Sequence, residues 1–254
     1  MMELKTIGIV RSEVKNRRQM PRLGASASVE LCDEYRAGLL RLEKHSHLWV
    51  LAWMDEAERD LLQVIPRGIE DRSARNLHGV FAVRSPARPN PIGLTLARVV
   101  RVWGGTIEFD RLDFADGTPV IDLKPYFVSR DMVFSATNIQ IGRPGDREAA
   151  REALLAQAVN CHGEQCAELE LGVDLYTEFR AAALGLAEPE RLKVTAPADR
   201  PHLVDALMGM TRTSLGRGTL ALGEGGVVRV EHDGLETIYE ISTGGFARRE
   251  SVSG

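Results

Sequence analysis

The first half of the chain is a succession of short apolar runs separated by turn residues, and this spacing restricts the fold more than any other feature of the sequence. The clearest runs cover residues 5–11, 29–31, 47–54, 92–103, 106–112 and 120–126. Gly104-Gly105 joins two of them and is typical of a β-hairpin connection. Because the runs do not alternate with helices, they predict a closed or nearly closed β structure and disfavour a doubly wound nucleotide-binding sheet.

Other segments of this half have patterns of their own. Residues 12–28 are polar, basic and marked by Gly and Pro, which is typical of a long loop. Residues 34–42 have helical spacing. Residues 79–84 predict a strand that leads into a rigid turn at 85–91, where three prolines fix the backbone.

The character of the sequence changes after Val133, and Gly142 to Asp146 has the composition of a linker. Helical patterns follow at residues 147–159, 169–184 and 205–210, and short strand patterns at 219–222, 227–231 and 237–241. The sequence therefore predicts a mainly β domain at residues 1–140 and a smaller α+β domain at residues 141–254.

Cysteine content and hydropathy limit the class of protein. The three cysteines, Cys32, Cys161 and Cys166, are too few for a disulfide framework and indicate a reducing compartment. No run of about 18 apolar residues predicts a membrane span, and the first residues lack the basic-then-apolar pattern of a signal peptide. We therefore expect a cytoplasmic protein with no membrane partner.

The formal net charge of −4 is unevenly distributed. Residues 1–130 hold 20 Lys and Arg against 17 Asp and Glu, whereas the remaining residues hold 12 against 19. The first half is the better candidate to bind a polyanion, although a surplus of three also occurs in many domains that bind none.

Four segments of the first half form a pattern together: Ile7 to Ser12, His45 to Leu51, Gly79 to Thr95, and Leu112 to Tyr126. This pattern resembles the TsaA-like family, also called YaeB-like or TrmO, over about residues 5–130. The resemblance implies an antiparallel β-barrel methyltransferase that uses S-adenosylmethionine, usually as a homodimer. It also implies that the partner is tRNA and that the acceptor is N6 of the threonylcarbamoyl-modified adenosine at position 37.

The resemblance implies a set of cofactor-binding residues near that pattern. In the family, the segment equivalent to Asp113 to Asp116 lies against the cofactor. The residues that we expect to bind S-adenosylmethionine are Pro21, Arg22, Leu23, His47, Arg84, Leu94, Asp113, Phe114, Ala115 and Asp116. Four alternatives remain open: Asp116 as a plain turn residue before Gly117, Arg22 as a solvated loop charge, Arg84 as a loop-anchoring ion pair, and His47 as a structural histidine.

Asp122, Lys124 and Tyr126 alternate, so they share one face of the predicted strand at residues 120–126. We expect these three to carry the catalytic chemistry, with Tyr126 stacking on a base that has left the anticodon-loop stack. The alternatives are a structural ion pair between Asp122 and Lys124 and a packing role for Tyr126.

Substrate contacts are expected from cationic and amide side chains in the predicted loops. Arg17 and Arg18 stand in a short basic segment with Lys15 and suit phosphate groups. Arg88 and Asn90 stand in the Pro-rich turn and suit a phosphate or carboxylate. A solvated loop and a self-braced turn are the respective alternatives.

The second half departs from the usual C-terminal extension of that family. It is similar, more faintly, to the E-like domain of formylmethanofuran dehydrogenase, whose H-G-H-x-C-P-G motif matches His162 to Cys166 in part. Glu164 replaces the second His of that motif, and no Cys stands near Asp205.

Cys161, His162 and Cys166 still offer three zinc-type ligands within six residues, with Glu164 or His202 as a further ligand. Because a second C-x-x-C pair is absent, we expect thiols with a capping His and no metal site.

Two interpretations of function stay open beside the tRNA methyltransferase. The acidic second half is compatible with an enzyme that methylates a small molecule with the same cofactor. The Cys161 to Cys166 segment is compatible with a metal- or ligand-binding regulatory protein.

Overall fold

The computed structural model describes residues 3–251, and the chain divides between Val133 and Phe134 into two compact units. Within the described residues, no helix combines the length and the apolar character that crossing a membrane requires.

The first unit is a closed barrel of six of the described strands. Its strands are β1 (Gly8–Ser12), β2 (Ala25–Leu31), β3 (His47–Trp53), β6 (Ile92–Trp103), β7 (Thr106–Leu112) and β8 (Pro119–Pro125), in the order β1-β2-β7-β6-β3-β8 around the barrel. Two short strands, β4 (Gln63–Val64) and β5 (His78–Gly79), pair beside it, and a short helix, α1 (Val128–Asp131), follows it. All the neighbouring barrel strands are antiparallel, which confirms the predicted fold class.

Alternation along the strands fills the barrel. On β3, Leu48, Val50 and Ala52 are fully buried, whereas the residues between them face outwards. Each Leu or Val buried in this way contributes about 1.5–3 kcal/mol. Closure also pairs the strand edges, which removes the edges on which other chains could add.

The pairing register brings three connections to the same end of the barrel. Ser12 pairs with Ala27, Ala25 with Leu112, and Trp53 with Ile92, so the strands end or begin together there. The connections are the β1–β2 loop at residues 13–24, the long β3–β6 segment at residues 54–91, and the β7–β8 turn at residues 113–118. We call this part of the molecule the loop end.

Three predictions for the first unit need correction. The loop predicted at residues 12–28 ends earlier than expected, because β2 begins at Ala25 and pairs there with β7. The strand predicted at residues 79–84 is wrong, because only His78–Gly79 pairs as a strand. The carbonyl groups of Val80 and Val83 accept from the guanidinium of Arg88 instead of from a neighbouring strand. The helical segment predicted at 34–42 is a 3₁₀ helix over Asp33–Leu39.

The second unit packs three helices with a mixed sheet, as the prediction of an α+β region stated. The helices are α2 (Arg147–His162), α3 (Ala167–Leu184) and α4 (Pro201–Thr211). The sheet has the order β10-β9-β11-β12-β13, from β9 (Lys193–Pro197), β10 (Leu220–Gly223), β11 (Val227–His232), β12 (Leu235–Ser242) and β13 (Gly245–Ser251). Strands β9 and β13 were not predicted. The core includes Leu154, Val173, Leu203, Val228 and Tyr239.

Candidate functional site

Most of the residues expected to bind cofactor or substrate lie in the three connections of the loop end. These are Arg17, Arg18, Pro21, Arg22, Leu23, Arg84, Arg88, Asn90 and residues 113–116. They come from segments that are up to about a hundred residues apart, and the antiparallel register of the barrel brings those segments together.

The turn that carries Pro21, Arg22 and Leu23 is held against the end of β7. The amide of Gly24 donates to the carbonyl of Pro21 at 3.1 Å, and Gly24 adopts a φ of +85°. A Cβ at this position would lie 2.6 Å from the carbonyl oxygen of Leu112, so only glycine allows this approach. The turn is therefore fixed directly beside Asp113.

Asp113 is exposed at the loop end and accepts a hydrogen bond from the hydroxyl of Thr95 on β6. The next residue, Phe114, is only 2% exposed and belongs to the barrel core, where its ring covers Gly93. Because its ring is buried in the core, only the main chain of Phe114 can contact a ligand at the loop end.

Asp116 joins two connections of the loop end. Its Oδ1 accepts from the Ser12 amide at 3.0 Å, and its Oδ2 pairs with Lys15 Nζ at 2.8 Å. The hydrogen bond from Lys15, then the bond from the Ser12 amide, hold the pKa of Asp116 below its usual value. With both oxygens engaged, Asp116 acts first as a brace between the β7–β8 turn and the β1–β2 loop.

The long β3–β6 segment contributes side chains of different kinds. The guanidinium of Arg88 donates to the carbonyls of Ser85 at 2.7 Å and Val80 at 2.8 Å, and also to Val83, so it braces its own loop. Arg84 and Asn90 are exposed. Their exposure leaves them accessible to a ligand at the loop end.

Leu94 lies on β6, two residues from the loop-end start of that strand. The remaining expected residues, His47, Asp122, Lys124 and Tyr126, lie on the outside of β3 and β8. His47 is six residues before the loop-end terminus of β3, which is about 20 Å along a strand. The amide of Tyr126 donates to the His47 carbonyl at 3.0 Å, and the two ring centroids lie 6.4 Å apart. His47 and Tyr126 are therefore distant from the loop-end group within one chain, whereas Asp122 pairs with Leu51, only two residues before the loop-end terminus of β3.

The titratable side chains of this outer group have ordinary structural partners. Asp122 and Lys124 form an exposed ion pair at 2.7 Å, which is the alternative that their spacing left open. Partial burial lowers the pKa of His47, while nearby Asp110 opposes that shift. His47 is therefore favoured in its neutral form at neutral pH.

An open groove of about 720 Å³ begins beside the brace at Asp116 and runs over the outside of β1, β2 and β7. Hydroxyl and charged side chains line it, among them Ser12, Lys15, Ser26, Ser28 and Glu108. Together with the exposed Arg17, Arg18 and Arg22, this gives the loop end main-chain donors, a carboxylate and several cations. Such a set can bind a ligand that is both polar and charged, and it suits phosphate groups.

Two details of this site escaped sequence reasoning. Thr95 had no signal that would pair it with Asp113, because the two are 18 residues apart, one on β6 and the other in the β7–β8 turn. Arg67 donates to the Met20 carbonyl at 3.0 Å and thereby fixes the base of the Pro21 turn. Only the register of the barrel brings these partners together.

Comparison with known proteins gives matches that centre on the barrel. Residues 9–132 match the model of the tRNA-methyltransferase O N-terminal domain. An Archaeoglobus fulgidus protein called S-adenosyl-L-methionine-binding protein is 43% identical over 137 residues, which cover 52% of this chain and 94% of that protein. A second A. fulgidus protein, called probable S-adenosyl-L-methionine-binding protein, is 37% identical over 179 residues, 68% of this chain.

The match covers 47% of that second relative, so the chain spans about half of its length. A mouse protein called tRNA (adenine(37)-N6)-methyltransferase is 40% identical over 93 residues, which cover 37% of this chain and 21% of that protein.

Proposed function

The chain belongs to the family defined by the tRNA-methyltransferase O N-terminal domain, and on this premise we propose that it is an S-adenosylmethionine-dependent methyltransferase that acts on tRNA. The observation that carries the proposal is the assembly of three connections at the loop end, where exposed Asp113 stands beside the Pro21 turn. We propose the acceptor as N6 of the threonylcarbamoyl-modified adenosine at position 37.

The donor set at the loop end fits S-adenosylmethionine in kind. The cofactor carries an ammonium, a carboxylate, a ribose and an adenine, and when bound it supplies an electrophilic methyl group on a sulfonium. The carboxylate of Asp113 suits the ammonium or the ribose hydroxyls, exposed Arg22 or Arg84 suits the carboxylate, and main-chain groups at residues 113–116 suit the adenine edge. Holding the donor methyl in line with N6 is the main task of these residues.

Transfer makes one bond and breaks one. The loop-end residues would hold the cofactor so that N6 could form a bond to its methyl carbon in place of the carbon–sulfur bond, with release of a neutral thioether. The N6 proton then passes to an acceptor, and Asp122 is the carboxylate that we propose for this step. Tyr126, which lies next to His47 and Trp49, is the side chain that we propose to stack on the adenine.

We propose a homodimer in which the outside of β3 and β8 of one copy lies against the loop end of the other. Within one chain, His47 and the neighbouring Tyr126 lie about 20 Å along the strand from the loop end, so a single copy leaves the site divided. The outside of β6, next to β3, exposes Ile92 (37%) and Leu94 (39%), and apolar side chains of this kind favour a protein contact.

Calorimetric titration with S-adenosylmethionine tests the cofactor site. We expect micromolar binding by the wild type and binding about tenfold weaker or more for Asp113→Asn, since a hydrogen bond to a charged group contributes about 1.5–3 kcal/mol. Asp33→Asn is the matched control, because this exposed carboxylate follows β2 at the opposite end of the barrel. Absence of binding by the wild type, or an equal loss in both variants, would contradict the proposed site.

Transfer of labelled methyl to tRNA tests the reaction and its acceptor. We expect label in bulk tRNA that carries the threonylcarbamoyl group and none in a transcript of the same tRNA without modifications, with the product identified by mass spectrometry of nucleosides. Label in the unmodified transcript would retain the reaction class but refute the modified acceptor. Failure to label any tRNA would refute the tRNA proposal.

Mixing two inactive variants tests the divided site. Asp113→Asn removes a loop-end group and Asp122→Asn removes an outer group, so each variant alone is expected to lose activity. If one site draws on two copies, mixed dimers contain one intact site in two, and activity returns to about a quarter of wild type once the copies have exchanged partners. No recovery in mixtures whose dimers demonstrably re-form with mixed partners would contradict the shared site.

A further inference from the structure

Three side chains with metal-binding atoms meet where helices of the second unit converge. His162 is the last residue of α2, Cys166 directly precedes α3, and His202 stands in the first turn of α4. The Nε2 of His162 lies 2.9 Å from the Nδ1 of His202, and the Sγ of Cys166 lies 3.8 Å and 3.7 Å from these two nitrogens. The three atoms form a compact triangle within 4.8 Å.

The triangle has the dimensions of a zinc site. A single point can lie about 2.05 Å from both nitrogens and about 2.3 Å from the sulfur, which are the usual zinc–nitrogen and zinc–sulfur distances. That point is close to the plane of the three ligand atoms. A fourth ligand can therefore approach the metal from one face of that plane. His202 is exposed, so this fourth position is within reach of solvent.

Asp205 orients the first of the three ligands. Its Oδ2 lies 3.0 Å from the Nδ1 of His162 and therefore accepts the proton of that nitrogen. The proton on Nδ1 leaves the Nε2 lone pair free to face Cys166 and His202. A carboxylate behind a histidine in this way is the usual outer support of zinc ligands.

The packing of α4 holds the cluster together. A Cβ at Gly209 would lie 2.6 Å from the Cβ of Cys161 on α2, and a Cβ at Gly172 would lie 2.9 Å from Leu203 on α4. Both glycines thus allow α4 to approach α2 and α3 closely. An ion pair of 2.6 Å between Arg200 and Glu168 joins the segments that carry His202 and Cys166.

We propose that His162, Cys166 and His202 bind one divalent zinc-class ion, with Asp205 orienting His162 and an exchangeable fourth ligand. The two imidazoles and one thiolate suit zinc better than magnesium or calcium, which prefer oxygen ligands. This site replaces the expectation of no metal in the second half, and it does not depend on the methyltransferase proposal. Cys161, which sequence reasoning grouped with the ligands, is not part of the triangle.

Metal uptake by the full chain tests the proposal. Protein stripped with a chelator is titrated with Co²⁺, and the visible bands and the near-ultraviolet thiolate band are followed, with displacement by Zn²⁺. We expect one ion per chain in the wild type, loss of the thiolate band in Cys166→Ser, and no change in Cys161→Ser. The latter is the matched control, because it makes the same substitution five residues away.

Two further variants separate the ligands from their support. His202→Gln should weaken zinc binding by at least about tenfold, and Asp205→Asn should weaken it about 10–100-fold while the thiolate band remains. Circular dichroism verifies that each variant is folded. Wild-type protein that takes up less than one ion per chain, or an equal loss in Cys161→Ser and Cys166→Ser, would overturn the site.

Discussion

Asp116→Asn is the sharpest perturbation of the loop end, because it changes the charge of a brace and little else. In the wild type, Asp116 accepts from the Ser12 amide at 3.0 Å and pairs with Lys15 at 2.8 Å. The asparagine oxygen can still accept from the Ser12 amide, but the ion pair and the charge on the acceptor are lost. We therefore expect the loop to stay in place and the barrel to become less stable.

The magnitude follows from the two contacts. A hydrogen bond to a charged group contributes about 1.5–3 kcal/mol against about 0.5–1.5 kcal/mol for a neutral one, so the loss of charge costs about 1 kcal/mol. The ion pair with Lys15 adds at most about 1 kcal/mol, because the Lys15 side chain is 70% exposed and solvent screens the pair. The sum of about 1–2 kcal/mol lowers the melting temperature of the barrel unit by about 3–8 °C.

The effect depends on pH in a direction that the structure fixes. The folded-state pKa of Asp116 is depressed, chiefly by the Lys15 hydrogen bond. Its stabilisation is therefore complete well above the unfolded value of about 3.9 and disappears as the pH falls through the folded value. The difference between wild type and Asp116→Asn should be full at pH 7, decrease below about pH 5, and vanish once Asp116 is protonated in the folded state.

Differential scanning calorimetry at a series of pH values measures this difference for the transition of the barrel unit. Lys15→Gln, alone and combined with Asp116→Asn, isolates the ion pair, and the coupling should not exceed about 1 kcal/mol. A difference that persists unchanged at pH 2, or that grows on acidification, would refute the assignment of Asp116 as a charged brace.

Three further substitutions have expected outcomes of their own. Arg88→Met should cost about 2–3 kcal/mol in barrel stability and expose the long β3–β6 segment to limited proteolysis, because several carbonyls lose their donor; unchanged cleavage would count against the brace. Gly24→Ala should cost about 2 kcal/mol or more, since its φ is +85° and the carbonyl of Leu112 lies 2.6 Å from the new Cβ, and calorimetry with S-adenosylmethionine should show weaker binding. Tyr239→Phe should lower the calorimetric transition of the second unit by about 1–2 kcal/mol, because the buried hydroxyl donates to Glu178 at 2.6 Å; no shift would mean that this bond adds nothing.

Local sequence patterns predicted the elements whose burial repeats with a simple period. The strand predicted from the apolar run at residues 47–54 and the Gly104-Gly105 turn between β6 and β7 are both present, as are the helices α2 and α3 within a few residues. These patterns are local, since a strand or helix buries the same face at each repeat.

The predictions were poor for segments whose backbone hydrogen bonds are made with residues outside the segment. Residues 79–84 have the composition of a strand, but the guanidinium of Arg88 takes the carbonyl groups that a partner strand would use. Residues 193–197 form the strand β9 because β10 and β11, which come later in the chain, pair with it on either side. The hydrophobic periodicity of such a segment contains no information about the distant residues that pair with it.

The sequence by itself determined that the first half is a barrel of short strands and, through four motifs, which family it resembles. The tertiary structure decided where the chemistry is placed. Closure of the barrel brings the Pro21 turn to Asp113 and leaves His47 and Tyr126 on another face. Helix packing brings His202 to His162 across 40 residues. Side-chain chemistry is encoded locally, but which side chains share a site depends on strand register and helix contacts, which arise only when distant segments pack.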